Sequence, residues 1–537
     1  MSKKLSNFIF IVTVSAFLIN CANRGNPQGG AKDIEPPKIL KSVPENYSTN
    51  FDGNEIKIYF DEYIKLKNLQ KQLIISPPMK TQPEILPLGS ASKYISIKIF
   101  DTLQPNMTYA FNFGQSVVDN NEENPFPFYR YVFSTGDYID SLTVKGEIFD
   151  AEKRKPEEFV SVMLYEIDSV YTDSTIYKET PKYVTNTLDS TTTFTIENLK
   201  AGTYKLIALK DENLDYKFQQ KIDKIGFLEG TITVPTDSIY NLTMFKEEVD
   251  FKASRASQVY GNKIVFGYEG NPKNMKIDLL SSSPDGFKYR VLKDSKADTL
   301  NYWYAPKFEV DSIIFNVYNK EYDYKKDSLT VKIRDKENDS LLVKTAPSGS
   351  LGFEEFFEVS GNTPLVKFDK SFVTFINKDS LNVEYSVELD TLNNKFVFDF
   401  VKEEEEQFNI QMLPGAVTDL FNKTNDTINT TLRTQTFSDY GNVRITLANP
   451  KYPVIVQLTN EKGEVQVEKY SSKPEPIDFK FLKPSKYYIR VVFDVNGNKK
   501  WDSGSFLKQQ QAERISYYPE LLDVRAGWDL VQTFTLD

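Results

Sequence analysis

The sequence predicts an all-β protein, a string of β-sandwich domains, and three observations carry that prediction. Apolar residues recur at every second position in short runs. Those runs are bounded by Asn, Asp, Gly and Pro turns. Aromatic residues make up 14% of the 537-residue chain and are mostly Tyr and Phe, which suit strands. No long stretch shows the period of a helix.

The chain opens MSKKLSNFIFIVTVSAFLINC. Lys3 and Lys4 make a basic start, and Phe8 to Ile19 is almost continuously apolar. That run is too short for a membrane span and fits a secretory signal peptide over residues 1–20. Cys21, the only cysteine, follows directly. Residues 21–35 are rich in Gly, Pro and Asn and read as a flexible tether.

Period-two alternation then takes over. Ile56, Ile58 and Phe60, then Ile95, Ile97 and Ile99, then Tyr109, Phe111 and Phe113, then Tyr129, Tyr131 and Phe133 predict strands of a first sandwich over 36–137. Val144 to Phe149, Val160 to Tyr165, Phe194 to Ile196 and Tyr204 to Leu209 predict a second over 138–245. Ile313, Phe315 and Val317 with Leu329, Val331 and Ile333 mark a third over 246–345. The longest strict alternation, Leu381, Val383, Tyr385, Val387 and Leu389, lies in a fourth over 346–440. There Glu403–Glu406 reads as a solvated turn between strands. A fifth runs over 441–537.

Two internal echoes relate these units. Leu199-Lys200 to Tyr204, then Asp211-x-Asn213-x-Asp215, recurs 283 residues later as Leu482-Lys483 to Tyr487, then Asp494-x-Asn496-x-Asn498. Phe113 to Asp119 recurs 300 residues later as Leu413 to Asp419. Domains two and five are therefore predicted to be one module type, and domains one and four another.

Composition narrows the chemistry. Past Cys21 there is no thiol, so no disulfide, thiol catalysis or cysteine metal site follows it. There is no histidine, which removes the usual general base, the usual zinc ligand and every Ser-His or Cys-His arrangement. Paired carboxylates remain open as catalysts. The formal charge of −10 becomes more negative once Lys3 and Lys4 leave with the signal peptide. An acidic chain without a basic stripe is a poor nucleic-acid binder.

The sharpest constellation is Asp494-Val-Asn496-Gly497-Asn498-Lys-Lys500-Trp501-Asp502. Its side-chain oxygens fall at positions one, three, five and nine, with the Lys500 carbonyl at seven, as a calcium loop supplies them. Gly497 at position four and Ser505 at position twelve depart from that loop. Asp211, Asn213 and Asp215 offer a second, shorter version. Both also read as Asx-rich hairpin turns, in which Asn and Asp bond their own backbone. Calcium is thus the one cofactor the sequence suggests.

The triplet Asp-[Ser/Thr]-[Ile/Leu/Val] occurs eleven times, with its hydroxyl at Thr102, Ser141, Ser169, Ser238, Thr299, Ser312, Ser328, Ser340, Ser380, Thr391 and Thr427. Composition alone predicts about one or two copies. Asp-Ser and Asp-Thr also make turns before apolar strands. Trp303, Tyr304, Trp501 and Trp528 read either as a sugar-stacking platform or as core and edge aromatics of sandwiches.

Resemblances add to this reading. Leu18, Ile19 and Asn20 before Cys21 resemble a bacterial lipobox, with Asn20 where the pattern carries a small residue. That implies a diacylated, palmitate-bearing Cys21 as the mature first residue; the same stretch also reads as an ordinary signal peptide with an incidental cysteine. Ala22 and Asn23 differ from the Asp-type inner-membrane retention signal, which favours the outer membrane. The first domain is similar to the bacterial Ig-like domain of the surface-layer (SbsA) type through Pro36-Pro37, Ser42-x-Pro44, Glu55 to Glu62, Ile75-Ser76-Pro77, Leu103-x-Pro105-x-x-Thr108-Tyr109 and Phe133 to Gly136. The second and fifth resemble carboxypeptidase-regulatory-like, transthyretin-type sandwiches, the second through Val144-x-Gly146, Phe194-x-Ile196-x-x-Leu199 and Gly202-Thr203-Tyr204. The Asp-[Ser/Thr]-aliphatic triplet resembles an O-glycosylation sequon of some Gram-negative bacteria.

The ensemble resembles a group of Ig-like lipoproteins of certain Gram-negative bacteria, one kind of which resembles accessory subunits of the β-barrel assembly machinery. The resemblance implies a noncatalytic scaffold, lipid-anchored at the outer membrane and partnered by other envelope proteins, with no nucleic acid among its partners. A glycan-binding or adhesive lipoprotein is the alternative, and a carboxylate-based hydrolase a weaker third.

Overall fold

The computed structural model describes residues 33–187, 191–294 and 296–536. The predicted signal peptide, Cys21 and the predicted tether up to residue 32 lie outside the described residues. The chain forms two compact units. One is built on residues 33–143 with 182–187 and 196–200, the other on the remaining residues.

In the first unit, alternation sorts apolar side chains to one face of each strand. The strands are β1 (Ile39–Val43), β2 (Glu55–Leu66), β3 (Ile74–Ser76), β4 (Glu84–Leu86), β5 (Ser92–Lys98), β6 (Thr108–Asn112), β7 (Val117–Asp119) and β8 (Arg130–Ser134). Sheet β1-β2-β5-β4 opposes sheet β3-β6-β8, and β7 returns to β2. This four-plus-three order is that of an immunoglobulin constant-type sandwich. Ile56, Ile58, Phe60, Ile95 and Ile97 from one sheet are buried, as are Tyr109, Phe111, Tyr131 and Phe133 from the other. A one-turn helix, Leu69–Gln72, joins β2 to β3.

The second domain supplies β9 (Leu142–Asp150), β10 (Ser161–Glu166), β11 (Tyr183–Asn186), β12 (Thr193–Leu199), β13 (Gly202–Lys210), β14 (Lys224–Phe227), β15 (Ile232–Val234) and β16 (Ile239–Met244). Strand β13 lies between β10 and β14 and also pairs with β15, while β16 runs parallel to β9.

The third domain holds β17 (Lys252–Tyr260), β18 (Lys263–Glu269), β19 (Met275–Leu279), β20 (Lys288–Lys293), β21 (Thr299–Ala305), β22 (Ser312–Asn319) and β23 (Tyr324–Lys332). Its sheets, β17-β18-β21-β20 and β19-β22-β23, repeat the four-plus-three order of the first domain. The sequence predicts only a sandwich here, because strand order leaves no trace in alternation.

The fourth domain holds β24 (Val343–Ala346), β25 (Gly349–Ser350), β26 (Phe357–Gly361), β27 (Leu365–Phe368), β28 (Val373–Ile376), β29 (Tyr385–Asp390), β30 (Lys395–Phe400), β31 (Gln407–Met412), β32 (Val417–Asp419) and β33 (Ile428–Arg433). Sheets β24-β26-β30-β29 and β28-β31-β33 keep that order, with β25 added parallel to β33, and β32 pairs with β27 as β7 pairs with β2.

The fifth domain holds β34 (Gly441–Ala448), β35 (Val454–Thr459), β36 (Val465–Ser471), β37 (Ile477–Leu482), β38 (Ser485–Phe493), β39 (Ile515–Tyr517), β40 (Leu522–Val524) and β41 (Asp529–Thr535). It repeats the second: β38 lies between β35 and β39, β40 returns to β38, and β41 runs parallel to β34. Strands β13 and β38 stand 283 residues apart at both ends. Both echoes in the sequence thus fall at matching places in matching folds.

Two local expectations need correction. The alternation from Leu381 to Leu389 is longer than its strand, which starts at Tyr385; Leu381 is exposed in the turn before it. Glu403–Glu406 does connect two strands, but Glu406 is buried. Its carboxylate accepts the backbone N–H groups of Lys378 at 3.0 Å and Gln407 at 2.9 Å, so the run is tied down at its last residue.

Candidate functional site

Asp494 follows the last residue of β38 and is fully buried. One carboxylate oxygen accepts the Asn498 N–H at 3.0 Å and the other the Lys499 N–H at 2.9 Å. Gly497, at φ +73°, makes the turn between them. The side-chain amides of Asn496 and Asn498 both donate to Asp502 Oδ2, at 2.5 and 2.6 Å. Lys500 Nζ lies 2.7 Å from Asp502 Oδ1. Burial pushes the Asp502 carboxyl up, but hydrogen bonds from Lys500, Asn496 and Asn498 outweigh it and hold it below the usual value.

The five candidate calcium residues therefore do meet in one loop, with the donors arranged as a turn network. Sequence reasoning missed Glu513, which lies too far along the chain to show as a spacing. Its carboxylate accepts the Val495 N–H at 2.8 Å and the Asp502 N–H at 3.1 Å. Burial raises its pKa, and Asp502 and Asp494 add to the rise. Among the described residues, no group of three or more His, Cys, Asp or Glu side chains is placed to hold a metal.

Asp211 plays the Asp494 part in the second domain. It accepts the Asn213 N–H at 3.2 Å and, five residues on, the Tyr216 N–H at 2.7 Å. Asp215 accepts the Lys217 N–H and the Gln219 amide. Burial raises the Asp211 pKa.

The stretch after Asp502 docks on the second domain. Phe506 is fully buried, edge-on to Phe227 with ring centroids 5.2 Å apart, and its N–H donates to Glu247. Lys205 is buried with its ammonium 5.6 and 5.7 Å from the Phe227 and Phe506 rings. It donates to the Leu228 carbonyl at 2.8 Å and to Gln509 Oε1 at 2.9 Å. Burial lowers its pKa. Gln511 donates to the Phe227 carbonyl at 2.9 Å, Arg490 to the Glu152 carbonyl at 3.0 Å and Arg154 to the Pro519 carbonyl at 2.7 Å. A Cβ at Gly504 would meet the Phe245 ring at 2.5 Å, so the close approach requires glycine there.

Neighbouring domains of this unit are also joined by packed side chains. Trp303 and Leu292 of the third pack with Leu420 and Phe421 of the fourth, the Trp303 and Phe421 rings 6.0 Å apart. Phe353 of the fourth lies 4.9 Å from Phe481 of the fifth, and Lys483 pairs with Glu355 at 2.7 Å.

These positions fit the core-and-edge reading of the four aromatics. Trp303 and Tyr304 are buried. Trp501 is half-buried, its indole N–H donating to the Glu513 carbonyl at 2.8 Å. Trp528 is exposed beside the Arg525 guanidinium at 5.0 Å. The four do not form one surface. One aromatic pair on the outer face of a sheet is half-buried Tyr59 and exposed Tyr94, directly opposed on β2 and β5 with rings 5.7 Å apart and Lys41 over Tyr59 at 5.2 Å.

None of the eleven Asp-Ser/Thr hydroxyl residues is buried: Thr299 and Ser312 are half-buried and the other nine exposed. Ser141, Ser238, Thr299, Ser312 and Thr427 stand at the entry of a strand, as the turn reading expects; Ser328 lies inside β23.

No curated protein matches the sequence. Solved structures that the chain resembles include the S-layer protein rSbsC, at 11% identity over 91% of this chain and 67% of that one, with a TM-score of 0.15. The Bacillus anthracis TIE protein matches at 10% identity over 95% and 76%, TM-score 0.14. The Bacteroides ovatus mixed-linkage glucan utilization locus protein SGBP-B, in complex with a mixed-linkage heptasaccharide, matches at 11% over 71% and 95%, TM-score 0.18. At these scores the likenesses carry no argument. Within the chain, residues 33–135 match the family of the bacterial Ig-like domain.

Proposed function

We propose that this protein is a noncatalytic scaffold, lipid-anchored through Cys21 at the outer membrane, and an accessory subunit of an outer-membrane protein assembly or surface-export complex. The observation that carries the reading is the seating of Phe506 and Lys205 between the fifth and second domains. With the packed junctions at Trp303 and Phe353, it holds four sandwiches of one unit in a set arrangement, which is what presenting several surfaces to partners requires. The signal peptide and the lone Cys21 support the anchor, and the Gly- and Pro-rich tether gives the body reach from the membrane. The pair of half-buried Tyr59 and exposed Tyr94 favours a second reading, a glycan-binding or adhesive lipoprotein.

Native purification in mild detergent separates the two. Recovery with a stoichiometric β-barrel protein is the expected outcome. Recovery alone, with retention on glycan columns that is lost in Tyr59→Ala, would establish the second reading.

A further inference from the structure

The third domain carries a concentration of unpaired positive charge that an acidic chain does not lead one to expect. Strand β17 is the edge of one of its sheets and β23 the edge of the other. Between them runs a groove of about 670 Å³. Lys252 and Arg255 line it from β17, Lys326 and Lys332 from β23, and Arg334 from just beyond. All five are exposed, and none pairs with a carboxylate of the described residues.

The other two charges at the groove are engaged. Lys336 donates to the Gln258 and Val259 carbonyls at 3.0 and 3.2 Å, and Glu269 is paired with Lys221 at 2.9 Å. Ala253, Ala256, Leu329 and Val331 are buried beneath the cations.

Lysine on a sheet edge is a common guard against unwanted pairing. A guard is served by one or two charges. Five, brought from two different sheets to one opening where the one acidic side chain among the described lining residues, Glu269, is already paired with Lys221, repel one another, and the protein bears that cost within a net charge of −10. The same opening exposes the outer backbone edges of β17 and β23, neither of which has a ladder partner on that side.

Strand edges without a ladder partner, capped by side chains at Ala253, Gln258, Val259 and Arg334, an apolar floor and a rim of cations together describe the complement of one ligand: an extended polypeptide with acidic side chains. A compact anion such as phosphate would use the cations but leave the edges open. We propose that this groove binds an extended acidic segment of a partner protein as an added β-strand. Its backbone pairs with the free edges, and its Asp and Glu side chains meet Lys252, Arg255, Lys326, Lys332 and Arg334. The inference rests on reading the protein as a binder of other proteins and assigns one of its partner surfaces.

Fluorescence anisotropy on the full chain tests it, with a labelled decapeptide alternating Glu and Val as probe and a Lys-Val decapeptide as control. The Glu-Val peptide is expected to bind and the control not. Binding should weaken about tenfold between roughly 50 and 300 mM NaCl. The triple variant Lys252→Glu, Arg255→Glu, Lys332→Glu should weaken it at least about tenfold at low salt, a change of about 1.4 kcal/mol. The corresponding triple Gln variant, which adds no negative charge, should give a smaller loss in the same direction. No binding, or binding unchanged in both triple variants, overturns the inference. So does binding of phosphatidylglycerol vesicles through the same residues while the peptide is ignored. Recovery of a barrel partner alongside any of these failures would leave the scaffold reading standing and remove only this groove from it.

Discussion

Phe506 of the fifth domain meets Phe227 of the second edge-on at 5.2 Å, and the ammonium of Lys205 faces both rings. The loop whose spacing suggests calcium also forms the stem of a docking element. Asp494, Asp502 and Glu513 shape the stem, and Phe506 is the tip.

Truncating that tip should loosen the fifth domain from the second. Phe506→Ala removes a fully buried ring, a change that costs about 3–5 kcal/mol in a packed core. The expected outcome is faster hydrogen exchange in β14 and the 503–513 segment, with the strands of the third domain unaffected. Uniform exchange changes across the unit would contradict a local dock.

The Asp494 loop is expected to stand without metal, because its carboxylate and amide groups satisfy one another. Melting temperature should not move between EDTA and added calcium. A reproducible rise with calcium, lost in Asp494→Ala, would establish the calcium site instead. Asp494→Ala itself takes the acceptor from the Lys499 N–H and leaves the Asn498 N–H only Asn496 Oδ1 at 3.0 Å, and should cost about 1 kcal/mol.

Glu247 gives the dock a pH dependence. Burial raises its pKa, opposed by hydrogen bonds from Phe506 and Gln220. A carboxyl with a raised folded value contributes stability that is fully present below its unfolded value of about 4.3 and is lost as pH rises through the folded value. Glu247→Gln should therefore flatten the fall in melting temperature from mildly acidic to neutral pH. An identical profile in both proteins would contradict this.

The accessible hydroxyls give a mass prediction. If the Asp-Ser/Thr triplets are modified in the native host, the nine exposed positions should carry the added mass before half-buried Thr299 and Ser312. Intact-mass and peptide measurements on protein from that host check it; an unmodified mass would leave the triplets as turns.

Much of the fold was legible because alternation reports directly on which face of a strand is buried. Ile56, Ile58 and Phe60 face the core as their spacing predicts. The echo at 283 residues was legible because Asp211 and Asp494 do the same local work, accepting a backbone N–H five residues on, and that at 300 because Asp119 and Asp419 both accept the backbone N–H groups two and four residues on. What stayed hidden depends on pairing between distant strands. The immunoglobulin order of the third domain is one case. Lys205 is another: it sits among apolar residues of β13 as any strand lysine might, and only the arrival of Phe506 and Gln509 shows why it is buried. The cationic groove between β17 and β23 is a third, since its charges come from segments about 70 residues apart.

The central claim is that an anchored body holds other envelope proteins. In-cell cross-linking followed by affinity recovery and mass spectrometry tests it most directly. The predicted result is cross-links from lysines of this chain to an integral β-barrel protein of the outer membrane, abolished in Cys21→Ala when the protein no longer reaches the membrane. Cross-links confined to this chain itself, or an unchanged pattern in Cys21→Ala, would contradict the account.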